Sequence, residues 1–184
     1  MSPGAADRCE LHRSAGGPSS AYPCVVGNEA PIVVLPGEGH TFSLGGSTFS
    51  LLVTGEQTRG QFAVTLFSVP PEFSGPRPHV HERTYDVAFV LEGTLVFTFT
   101  DGRHEAPAGS LVVIPPGVPH TFSNPGATPA RAAGLSIPGG FEHYFREIAE
   151  SVAPGEPPDP ATVAEVSARY DINPIPDQET FPVR

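Results

Sequence analysis

Between residues 31 and 137, apolar residues come in short β-branched and aromatic runs, and Gly, Pro or Asp separates nearly all of them. Runs at 32–35, 48–54, 62–69, 87–91, 94–100, 110–114, 121–123 and 131–137 have the length of strands and are too short for helices. A chain of 184 residues with 20 Gly and 23 Pro, punctuated in this way, is expected to form an all-β antiparallel sandwich or barrel. Gly45-Gly46, Glu92-Gly93 and Asp101-Gly102 read as tight hairpin turns. After Gly139-Gly140 the period changes. Phe141, Tyr144, Phe145, Ile148, Ala149 and Val152 recur at helical spacing, which predicts one amphipathic helix ended by Pro154-Gly155. A Pro-rich linker over 154–158 leads to Asp159-Pro160, which reads as the N-cap and first-turn proline of a second short helix reaching about Tyr170. The expected organisation is an arm over 1–30, a β-barrel over 31–140, and a helical segment with tail over 141–184.

Charge narrows the partners. Acidic residues number 20 against 10 basic ones, for a net charge of −10, which disfavours nucleic acid and anionic membranes. Every basic residue is Arg, so Schiff-base and P-loop lysine chemistry is excluded. The sequence shows no signal-peptide h-region and no spanning apolar stretch, so a cytoplasmic protein is expected. Cys9 and Cys24 have no zinc spacing and read as free thiols.

Two segments carry the chemistry. His79 and His81 are two apart, so on a strand their imidazoles project from one face and can occupy adjacent corners of a metal's coordination shell. A turn over 82–84 brings Asp86 beside them as an oxygen donor. His120, after Pro115-Pro116-Gly117-Val118-Pro119, opens a later strand that can complete the site. Three imidazoles and a carboxylate, with positions left open, suit Fe, Co, Ni, Cu, Mn or Zn, and ligand type does not choose among these divalent metals.

These residues resemble the two signature motifs of the cupin superfamily. The first family motif is Gly, five residues, His-x-His, three or four residues, Glu, six residues, Gly; here His79, His81, Asp86 and Gly93 keep the spacing. Asp replaces Glu, and the leading Gly75 lies closer to the histidines than in the pattern. The second motif is met at every position, by Gly109, Pro115, Gly117, His120 and Asn124. The resemblance covers about residues 30–140 and implies an antiparallel cupin barrel or jelly roll, here followed by one or two C-terminal helices. Within the superfamily the chain is similar to single-cupin quercetinases, through its lone cupin domain, Gly139-Gly140-Phe141-Glu142 leading into an aromatic-rich helix, and Arg169-Tyr170-Asp171. That similarity implies a divalent metal held by His79, His81, Asp86 and His120, with Asp86 also the general base. It further implies a flavonol-like or polyketide-like phenolic or enolic substrate, dioxygen as co-substrate, and a homodimer.

Asp reaches about 1.5 Å less far than Glu, one C–C bond, so either the strand moves inward or Asp86 acts from behind a water as a base. A tailoring cyclase or isomerase on the same metal site, and a non-catalytic small-molecule binder, are the competing functions. Phe122 shares the inward parity of His120 and is expected beside the metal. Phe62, Phe99, Phe141 and Tyr144 are further candidates for an aromatic substrate pocket, although core packing explains them equally well. The plain readings of the rest are structural: Glu82 is a solvated turn residue, and His40 and His104 are surface residues. His12 sits in the arm, His143 on the polar side of the first helix, Glu142 and Arg146 form an exposed i, i+4 pair, and Asn124 is a turn residue.

Overall fold

The computed structural model describes residues 30–152 and 158–175. The chain divides into two compact units, Met1–Val33 and Val34–Arg184, and every element named below belongs to the second. Residues 1–29 of the expected arm, with Cys9, Cys24 and His12, lie outside the described residues, as does most of the linker.

In chain order the elements are β1 (His40–Leu44), β2 (Ser47–Val53), β3 (Ala63–Val69), β4 (His79–Val80), β5 (Tyr85–Glu92), β6 (Thr94–Phe99), β7 (Gly102–Pro107), β8 (Leu111–Ile114), β9 (Thr121–Ser123), β10 (Ala130–Ile137), α1 (Glu142–Glu150), α2 (Pro160–Ser167) and β11 (Asn173–Pro174). One sheet has the order β1-β2-β3-β10-β5-β8. A second runs β7-β6-β9, and antiparallel bridges Phe73↔Asn124 and His79↔His120 carry it on to β4, which pairs with β11. All pairings are antiparallel, and the two sheets enclose Val69, Ala88, Val90, Leu95, Phe97, Ala106, Ile114, Ala130 and Ala132. This is the all-β cupin architecture with two C-terminal helices.

Local chemistry explains the joints. Gly45 and Gly46 both have φ in the left-handed region, +56° and +80°, which a type I′ hairpin between β1 and β2 requires. The β6–β7 hairpin also forms, but Phe99 pairs with Gly102, so its loop is Thr100-Asp101, one residue earlier than predicted. The Glu92-Gly93 hairpin is not formed. β5 pairs with β10 and β8 while β6 pairs with β7 and β9, so this dipeptide carries the chain from one sheet to the other. A Cβ on Gly93 would lie 2.9 Å from the Pro129 carbonyl oxygen; the glycine permits close passage of two backbones. The strand expected over 32–35 is likewise absent. The Leu35 N–H donates to the Glu38 carboxylate, and the Glu38 N–H to the Leu35 carbonyl, so local turn bonds take the groups a ladder would need.

The second helix starts as its sequence dictates: the Asp159 carboxylate accepts from the Thr162 N–H at 3.0 Å, with Pro160 in the first turn. On α1, Phe145 stacks on Phe49 of β2 with ring centroids 4.6 Å apart, so the apolar stripe read from the period of 3.6 lies against the barrel. Among the described residues, no helix is long and apolar enough to cross a membrane.

Candidate metal centre and its cavity

The backbone aligns His79 and His120 before their side chains do anything. Each donates its N–H to the other's carbonyl, at 3.0 and 2.9 Å, so the two residues face each other across β4 and β9. His81 follows on the same side, its carbonyl accepting from the Gly117 N–H at 2.7 Å. That bond ties the Pro115-Pro116-Gly117 turn directly to the other motif. Gly117 has φ +81°, the left-handed conformation that glycine adopts without steric cost.

The ring centroids of His79, His81 and His120 are 4.5–5.3 Å apart, and all three residues are buried. Each Nδ1 faces a backbone carbonyl: that of Arg77 for His79 at 2.9 Å, of Asp171 for His81 at 2.7 Å, and of Val118 for His120 at 2.9 Å. A carbonyl only accepts, so Nδ1 carries the proton in every ring and the Nε2 lone pairs are left free. The Nε2 atoms of His81 and His120 are buried without any hydrogen-bond partner, an arrangement that costs about 1–3 kcal/mol per group when nothing compensates it. Burial pushes the pKa of both His79 and His120 down to about 4, with the neighbouring imidazoles acting in the same direction. All three rings offer one donor atom within 4.8 Å of the others. Nitrogens sharing one ion at roughly 2.1 Å sit about 3 Å apart, so small ring rotations would close the set. Neutral, tautomer-fixed imidazoles with orphaned lone pairs fit a divalent transition metal.

Asp86 enters from the opposite sheet. It pairs with Ser136 and Ile114 and, like Ala88 and Val90, points inward. Its Oδ2 lies 3.8 Å from His120 Nε2, and it stands outside the three-histidine group. Burial pushes its carboxyl above the usual carboxylate range, against the pull of His81 and His79. A carboxyl raised in this way, at the open side of the imidazoles, is suited to taking and returning a proton.

Asp171 organises the loop between the first motif's histidines and Asp86. With φ +58°, it turns its carbonyl to His81 and its carboxylate to the loop. The carboxylate accepts from the N–H groups of Glu82, Arg83 and Thr84 at 3.0–3.1 Å and from the Thr84 hydroxyl at 2.9 Å. Burial raises its pKa, but the hydrogen bonds from Arg83, Thr84 and Glu82 outweigh this and the net shift is downward. Sequence reasoning noted the segment without giving Asp171 a role. Gly75 has an equally specific place: at φ +88°, a Cβ there would lie 1.8 Å from the Phe122 carbonyl oxygen. Only glycine allows residues 73–79 to lie against β9 and deliver His79.

A cavity of about 410 Å³ opens beside these groups. His79 and Asp86 line one end. Phe49, Phe67, Phe97 and Phe122 wall it from the barrel, and Phe141, Tyr144 and Phe145 from α1, with α2 beyond. Phe122, Phe141 and Tyr144 are in its lining, and the Phe141 ring lies 4.8 Å from that of His81. Phe62 and Phe99 do not line it. Phe62 precedes β3 and is partly exposed, its carbonyl held by Thr58. Phe99 is one step along β6 from Phe97 and turns to His104. Phe49, Phe67 and Phe97 were missed, although alternation along β2, β3 and β6 marks them as inward. Arg77 also lines the cavity and was not singled out.

Glu142 overturns its expected exposed pairing with Arg146. It is 0% exposed, and its carboxylate accepts from the Gly55 N–H at 2.5 Å and the Gly140 N–H at 2.6 Å; Arg146 approaches Glu150 instead, at 4.0 Å. The reason is that the backbone N–H groups of Gly55 and Gly140 lie buried where α1 begins, and the carboxylate turns inward to satisfy both. His143 sits beside it and bonds the Glu56 carboxylate at 2.7 Å. Asn124 is more than a turn residue: it is buried, and its amide braces the Pro70 and Thr128 carbonyls.

The fold, with three imidazoles at one end of its barrel, defines the class, and residues 65–138 match the Cupin_2 family, described as a cupin domain. Residues 65–138 are thus a cupin domain. It is 27% identical over 137 residues to quercetin 2,3-dioxygenase of Bacillus subtilis (strain 168), an alignment covering 74% of this chain and 40% of that protein. It is 31% identical over 72 residues to an uncharacterized protein of Methanocaldococcus jannaschii, covering 39% and 57%. The chain thus spans less than two thirds of the length of these relatives. A predicted oxalate decarboxylase from Thermotoga maritima superposes with a TM-score of 0.51 at 22% identity, over 57% of this chain and 97% of that one, a likeness of fold.

Proposed function

We propose that His79, His81 and His120 hold a divalent transition metal, and that the protein is a metal-dependent cupin dioxygenase acting on a flavonol-like or polyketide-like phenolic or enolic substrate. The observation that carries this reading is the trio of buried rings with every Nδ1 committed to a carbonyl and two Nε2 atoms unpartnered. Similarity to a quercetin dioxygenase over 74% of the chain supports the substrate class.

A bound metal would act as a Lewis acid that acidifies and orients an enol and prepares it for dioxygen. The chain's own residues do the rest. Phe49, Phe67, Phe97, Phe122 and Phe141 exclude water and sandwich a planar ring. Asp86, with its raised pKa and its place beside His120, takes the substrate hydroxyl proton at a carboxylate oxygen.

Because Asp86 stands apart from the three-histidine group, proton transfer without oxygen insertion is the second reading, and a cyclase or isomerase would use the same residues. The deciding experiment is metal analysis of the purified protein coupled to oxygen uptake with a panel of flavonols. About one transition metal per chain with oxygen consumption supports the dioxygenase, and turnover that persists anaerobically assigns the isomerase class. Less than a tenth of an equivalent of metal, with no turnover, leaves a binding protein. The Asp86→Asn variant should keep its metal and lose turnover by about 10²-fold or more, the usual share of a general base.

A further inference from the structure

Resting on the reading of this cavity as a substrate site, we propose that Arg77 is its specificity-determining anion anchor and that the natural substrate is a planar aromatic or polyketide molecule bearing one carboxylate. Acids outnumber bases two to one in this chain, and among the described residues most arginines already have partners. Arg83 meets Asp171, Arg131 meets Glu92, Arg146 meets Glu150, and Arg169 meets Glu147 and Glu165; Arg59 and Arg103 have contacts of their own. Arg77 makes no ion pair among the described residues, yet it lines the cavity that His79 and Asp86 share.

Its backbone is fixed from every side. The Pro76 carbonyl accepts from the Thr121 hydroxyl at 2.7 Å, the Arg77 carbonyl from His79 Nδ1 at 2.9 Å, and the Pro78 carbonyl from the Ile175 N–H at 3.1 Å. Pro76 and Pro78 hold φ on either side. The segment therefore anchors the backbone of an exposed arginine at the edge of the cavity, and a guanidinium is the group best matched to a carboxylate through its two-pronged geometry. Among the described residues, Arg77 and Asp86 are, with the His79 imidazole, the charged or ionisable groups lining the barrel end, and the remaining walls are mostly Phe, Pro and aliphatic. Of the chain's own groups in this lining, Arg77 supplies one positive charge, enough for one carboxylate, while Asp86 opposes the second charge of a dianionic phosphate, so the chain's own charges favour a carboxylate. The long-range field of a chain at −10 repels anions, so a local cation has to supply any preference for one.

The test uses the full-length protein, as purified and again after chelation, with 2-naphthoate, its neutral isostere 2-naphthamide and 2-naphthyl phosphate as probes, and affinities read by calorimetry. In both preparations naphthoate should bind at least about tenfold more tightly than naphthamide. R77Q should remove that preference by weakening naphthoate alone, unchanged naphthamide affinity certifying the fold, and Arg77→Lys should restore part of it. Equal binding of acid and amide, a preference that survives R77Q after chelation, tighter binding of the phosphate, or no binding of any probe overturns the proposal. Since the chelated protein carries no metal, these outcomes are independent of whether the metal and oxygen assays succeed.

Discussion

Asp171 lies 90 residues beyond His81 in sequence and accepts its Nδ1 proton, so replacing its side chain should damage the metal centre without touching a ligand. In Asp171→Ala, four hydrogen bonds from Glu82, Arg83, Thr84 N–H and the Thr84 hydroxyl disappear. Bonds to a charged acceptor contribute about 1.5–3 kcal/mol each when buried, but water can replace those on the exposed side of this loop, leaving about 3 kcal/mol in all. Alanine also holds the left-handed φ of +58° at a further cost of about 1 kcal/mol. The loop then relaxes, and the carbonyl that fixes the His81 ring moves with it. Loss of such an outer partner costs typically 10–100-fold in metal affinity. Denaturant unfolding of the metal-free protein gives the first quantity, and competition with a chromophoric chelator gives the second. Asp171→Asn, which tolerates the left-handed conformation and retains one acceptor oxygen, should fall between wild type and Ala in both. An Ala variant with wild-type metal affinity would refute the argument that this residue orients His81.

Three other outcomes follow from the same structure. Gly75→Ala places a Cβ 1.8 Å from the Phe122 carbonyl oxygen, which backbone displacement alone relieves; we expect loss of metal binding and at least about 3 kcal/mol of destabilisation, checked by denaturant melts. Acidifying the metal-free protein should destabilise it between about pH 6.5 and pH 4: His79 and His120 titrate near 4 when folded and near 6.5 when unfolded, so the unfolded chain binds the extra protons. Each ring accounts for up to about 3 kcal/mol, and Asp86, raised by burial, acts in the opposite sense; urea midpoints that stay flat across that window would contradict this. Glu142→Gln puts an amide, half of it a donor, against two buried N–H groups and should cost about 3 kcal/mol, read as a lowered Tm.

What the sequence revealed, and what it hid, follows from the range of the interactions. Alternation and turn chemistry are local, so the strand at Thr121–Ser123, the Gly45-Gly46 hairpin and the Asp159 cap were all legible, as was the spacing that sets His79, His81 and His120 on one face. Glu92-Gly93 has the chemistry of a turn, yet which sheet each flanking strand joins is settled by β10 and β9, far along the chain. Glu142 looked solvent-exposed because its i, i+4 neighbour is an arginine, whereas its partners are Gly55, 87 residues away, and Gly140. β4 is two residues long and has no pattern to detect. Asp171 reaches His81 through a backbone carbonyl, which carries no signature in side-chain identity.

The walls of the chamber come from two separate stretches of chain. The three imidazoles, from position 79 to 120, belong to the barrel, whereas much of the far wall is contributed by α1 and α2, with Tyr144, Val163 and Ala164 among its surfaces. Exchanging those three side chains would resize the room for a guest while leaving the imidazoles and Asp86 in their present neighbourhood. The molecule thus separates the tool from the mould, and altered guest preference is attainable through the C-terminal quarter alone.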